Sequence, residues 1–100
     1  MAESKSQAKR IAKQMEAEAF ILQSKEERAK ERWESAQIKA ASANSVLDYA
    51  VEHYEANKHE LNEDIIKQTE EQISARREQI KEFIMAEKDI YLEAMGIQAD

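Results

Sequence analysis

Along residues 8–61 an apolar or small side chain returns every three or four positions in one unbroken phase, which is the spacing of a helix seam. One row is Ala12, Ala19, Glu26, Trp33, Ala40, Leu47, Tyr54 and Leu61, and the other is Ala8, Met15, Leu22, Ala29, Ala36, Ala43, Ala50 and Asn57. Taken as heptad positions a and d, the rows hold fourteen apolar residues in sixteen places, with Glu26 and Asn57 as the exceptions. Such a stripe gains its roughly 25 cal/mol per Å² only when another surface covers it, so the pattern predicts a long helix packed on other helices.

The small, polar run Ser42-Ala43-Asn44-Ser45, with Asp48 three residues beyond Ser45, resembles a capping box and could open a second helix. The heptad phase nevertheless passes through it without a slip, and a loop would not preserve that phase, so a continuous helix is expected there. The phase breaks between Leu61 and Ile66. Downstream the stripe becomes Ile66, Thr69, Ile73, Arg76, Ile80, Phe83, Glu87, Ile90, Ala94 and Ile97, broadened by Ile84 and Tyr91.

Asn62 followed by Glu63 and Asp64 is the pattern of a helix start, a capping side chain and then acids against the positive end of the helix dipole. Two outcomes stay open: a turn near Asn57–Asn62, or one rod on the order of 140 Å whose seam changes face at that point. A link of a few residues without glycine or proline argues against a tight turn. Gly96 suits the position just past the end of a second helix, and Ser4 or Ser6 suits the cap of the first.

The expected fold class is therefore all-α, with long helices forming a coiled coil or helical bundle. Residues 1–100 form a single elongated domain, in segments of about 4–60 and 63–95 with a break near 57–63. The residues expected at helix interfaces are Met15, Leu22, Ala29, Trp33, Ala36, Ala40, Leu47, Tyr54, Leu61, Ile73, Ile80, Phe83 and Ile90. Phe20 and Ile21 lie beside the seam, Ile38 lies opposite it, and Val46 and Val51 flank it. This excess of apolar side chains points to a second contact surface, as in a bundle of three or more helices.

Composition agrees with the pattern. Ala, Glu, Lys, Leu and Arg make up 52 residues, proline is absent and Gly96 is the only glycine, so nothing upstream of Gly96 has to break a helix. The absence of cysteine excludes disulfides and thiolate metal sites. No run of eighteen apolar residues offers a transmembrane span, and the first residues lack the apolar core of a secretory signal. The expected location is the cytoplasm, or a particle assembled there.

The net charge of −6 is uneven: residues 1–41 carry nine basic and seven acidic side chains, and residues 42–100 carry six and fourteen. Lys5, Lys9 and Lys13 form a basic stripe with Arg10 beside it. Without interleaved aromatic residues it is too small to argue for nucleic-acid binding, and it is expected to be a solvated flank.

No side-chain set carries catalytic chemistry. His53 and His59 are six residues apart and point in different directions on a helix, and no Glu-x-x-His occurs, which removes the ligand pattern of carboxylate-bridged di-iron bundles. There is no glycine-rich phosphate loop or nucleophile elbow, so neither a cofactor nor an enzymatic activity is expected. Trp33 and Tyr54 both fall at position a, which makes them packing residues rather than a base-stacking platform.

The lone tryptophan, length and acidity look like the small WXG-type secretion substrates. Trp33-Glu34-Ser35 lacks that family's glycine, however, and Tyr91 is followed four residues on by Met95 rather than Asp. Residues 7–60, rich in Ala, Gln, Lys and Glu without glycine or proline, resemble in style the small helical virion proteins of tailed phages, including internal, ejected and scaffold proteins. That resemblance implies a non-enzymatic subunit present in many copies in a particle. The expected function is a structural helical subunit that self-assembles or docks into a larger complex, the alternative being an adaptor or chaperone for a partner's amphipathic helix.

Overall fold

The computed structural model describes residues 2–97, with side chains from Lys5 onward. Helix α1 runs over Ala2–Asn57 and is 56 residues long, and helix α2 runs over Glu63–Ala94 and is 32 residues long. A single 3₁₀ turn at Lys58–Glu60 lies between them. α2 folds back antiparallel on α1, so Trp33 faces Tyr91 and Tyr54 faces Glu70, pairs whose residue numbers both sum to 124. The molecule measures 89 × 23 × 15 Å, which excludes the straight rod of about 140 Å.

α1 is unbroken through Ser42–Ser45, as the preserved phase required. It already begins at Ala2, so Ser4 and Ser6 lie inside its first turns and do not cap it.

The reversal needs neither glycine nor proline because no residue in it takes a positive φ. Asn57 leaves the helix at φ −111°, ψ 2°, and its side-chain amide folds back to donate to the His53 carbonyl at 2.9 Å. The Leu61 amide closes the 3₁₀ turn on the Lys58 carbonyl at 3.0 Å. Leu61 and Asn62 are extended, at ψ 151° and 165°, and two extended residues suffice to swing the chain round. Asn62 then caps α2 as its sequence context predicts, its Oδ1 accepting from the Ile65 amide at 2.9 Å.

α2 ends in a Schellman motif. Gly96 takes φ 72°, its amide donates to Glu93 at 3.1 Å, and the Ile97 amide donates to Leu92 at 2.8 Å. Among the described residues this is the one position where the backbone demands glycine.

The core is thin. Ala36, Ala40, Leu47 and Tyr54 are buried on α1, whereas α2 has no fully buried residue and offers half-buried Ile66, Ile73, Ile80, Ile84, Glu87 and Tyr91. Two helices cover only one stripe of each other, so the remaining apolar side chains stay in water. Large exposed ones include Ile11, Met15, Phe83, Ile90 and Ile97.

Candidate interaction surface

The hairpin seam is built from small residues on α1 facing branched ones on α2. Ala36 and Ala40 let the two backbones approach, while Trp33 stacks on Tyr91 with ring centroids 5.8 Å apart and planes 17° from parallel. Polar pairs border the seam on the outside. Arg32 grips Glu87 through two bonds, Nε to Oε2 at 2.8 Å and Nη2 to Oε1 at 3.0 Å. Arg77 Nη2 donates to Asp48 at 3.1 Å, and Glu70 accepts from Lys58 Nζ at 2.8 Å and from the Tyr54 hydroxyl at 3.2 Å.

These bonds set the electrostatics. The Arg32 guanidinium holds the Glu87 carboxyl below the usual glutamate range, and the Lys58 ammonium, with the Tyr54 hydroxyl, does the same for Glu70. Burial raises the Tyr54 phenol, with Glu70 adding to the effect. Each pair joins α1, or the turn after it, to α2, so the pairs fix the register of the hairpin more than they stabilise it.

The expected interface residues separate into three groups. Ala29, Trp33, Ala36, Ala40, Leu47, Tyr54, Leu61, Ile73 and Ile80 are buried or half-buried in the hairpin. Met15 and Leu22 lie beyond its end, 64% and 56% exposed. Phe83 and Ile90 are exposed on its flank, since the second row that α2 turns toward α1 is Arg77, Ile84 and Tyr91 instead of Arg76, Phe83 and Ile90. Glu87, with its arginine partner, occupies a seam position that apolar patterning alone would mark as a defect.

Two uncovered surfaces follow from this geometry. The first is an overhang: α2 is 24 residues shorter than α1, and residues 5–23 all project beyond it with exposed side chains. That is about 28 Å of single helix at 1.5 Å per residue, bearing Ile11, Met15, Phe20, Ile21 and Leu22 in water. Its Met15 and Leu22 continue the heptad row of Ala29 and Ala36 without a change of phase.

The second is a groove of about 580 Å³ along one side of the hairpin. α1 lines it with Ala43, Val46, Leu47 and Ala50, and α2 lines it with Thr69, Ile73, Arg76 and Ile80. At 100° per residue Phe83 and Ile90 fall on the same side of α2 as Arg76, so they prolong this apolar flank toward the end of α2.

Among the described residues no group of three or more His, Asp or Glu side chains could hold a metal ion, and His53 and His59 are both exposed. No helix among them is long and apolar enough to cross a membrane. No family model, curated protein or solved structure matches the chain.

Proposed function

We propose that the chain is a non-enzymatic structural subunit that self-assembles or docks into a larger protein assembly through helix packing. The observation that carries this reading is the overhang. A heptad row built to be covered runs on, in phase, for nearly twenty residues past the point where its own chain stops covering it. An apolar stripe of this kind is stabilised by burial against another helix and gains nothing in water. The stylistic likeness to small virion proteins of tailed phages supplies one setting for such a subunit, a particle in which many copies align.

The groove favours a second reading, an adaptor that receives an amphipathic helix of a different protein. Its length and apolar lining suit one helix laid along the hairpin. Light scattering on the purified chain separates the two: a structural subunit forms a defined homo-oligomer by itself, whereas an adaptor stays monomeric until its partner helix is added.

A further inference from the structure

We infer that the overhang of one copy docks in the groove of a second, giving a closed antiparallel dimer in which each chain fills the other's groove. This inference rests on the self-assembly proposed above and names its geometry. Three observations carry it: length, charge and the position of the exposed flank.

Seating Ile11–Leu22 antiparallel along the α1 wall of the groove, Ser42–Tyr54, sets Ile11 level with Tyr54 and Leu22 level with Ala43 of the second copy. The twelve residues of overhang match the thirteen of groove wall. The same register brings the basic tip, Lys5, Lys9, Arg10 and Lys13, to the turn of the second copy. Residues 51–71 there carry seven carboxylates against two lysines, whereas residues 5–15 carry no carboxylate. Glu18 comes level with Leu47 of the second copy, which faces α2 one residue along from Arg76; Arg76 lines the groove and, among the described residues, makes no ion pair within its own chain.

A two-fold axis in this register passes near residue 32 of α1, where the facing residues of α2 lie close to Ile90. The exposed flank of Phe83 and Ile90 is thereby turned toward its own symmetry mate. Pairing two overhangs in parallel would instead set the four cations of one tip against the four of the other.

The chain has no cysteine, so engineered ones are unique. Met15→Cys protein mixed with Ala50→Cys protein and treated with a short bis-maleimide is expected to give the 15-to-50 product in a species that sediments as a dimer. Ile11→Asp and Val46→Asp replace side chains that are 57% and 70% exposed, so the hairpin fold survives both. Each is expected to raise the dimer dissociation constant at least about tenfold, a loss near 1.4 kcal/mol, with helical circular dichroism unchanged.

A dimer that gives only 15-to-15 product, or that is insensitive to Val46→Asp, overturns the docking and leaves self-assembly standing. A chain that stays monomeric at high concentration overturns both. So does a monomer that pellets with phosphatidylserine–phosphatidylcholine vesicles, which would make the overhang a membrane-surface helix.

Discussion

Replacing Leu47 with alanine tests whether the thin seam holds the hairpin together. Leu47 is 8% exposed, lies between Ala40 and Tyr54 in the buried row, and borders the groove beside Ile73 and Ile80. Leucine-to-alanine changes in closed cores cost about 2–5 kcal/mol, and the value rises with the cavity left behind. Here the space opens into the groove, where water enters and the walls can relax, so the low end, about 2 kcal/mol, is expected. For a domain of this size that lowers the melting temperature by roughly 8–16 °C. Thermal melts followed by circular dichroism at two protein concentrations separate this loss from any change in association. Ile38→Ala is the control: its side chain is 67% exposed opposite the seam, and its loss should stay within about 0.5 kcal/mol. Equal melting temperatures for the two variants would refute the seam as the source of stability.

Alanine positions should divide by burial. Ala36→Leu, at 3% exposure against α2, should cost about 1–3 kcal/mol in overpacking, while Ala43→Leu, at the exposed groove wall, should leave the monomer melt unchanged. Asn62→Ala removes the side-chain cap on the Ile65 amide and should cost about 1 kcal/mol, with hydrogen exchange accelerated in the first turn of α2. Acid should loosen the hairpin: Glu70 and Glu87 titrate below the ordinary value near 4.5, so their contribution is complete above that value and disappears as pH falls through the lowered ones. The melting temperature should therefore hold from pH 7 to about 5 and decline below it, and Glu87→Gln should flatten part of the decline.

Much of the fold is written locally. The Ala36, Ala40, Leu47, Tyr54 stripe, the Asn62 cap and the Gly96 terminus each depend on a short span of residues, and each stands where its neighbours dictate. The place of the reversal was legible, since the heptad phase breaks after Leu61 and Asn62 opens a new helix, but that the chain turns back there was not, because the turn uses negative φ throughout and carries no glycine or proline to announce it. Nor was the face of α2, because the rows Arg76–Phe83–Ile90 and Arg77–Ile84–Tyr91 repeat at the same interval with similar apolar content. What separates them is the partner across the gap: Tyr91 meets Trp33 and Arg77 meets Asp48, both pairings set by register. Nothing in residues 8–22 distinguishes covered from uncovered seam, because the two share one phase. The overhang emerges only when the 32 residues of α2 are laid along the 56 of α1.

The fold-back itself is tested most directly by a distance across it. Nitroxide labels at Ala50 and Ser74 sit on exposed positions whose numbers sum to 124, so they stand opposite each other on the two helices. Pulsed dipolar spectroscopy, with labelled chain diluted in unlabelled chain to suppress distances between copies, should give a separation within roughly 20 Å, the span of two adjacent helices and their label arms. A separation near 36 Å, the rise of 24 residues along an uninterrupted helix, would contradict the hairpin and with it the overhang.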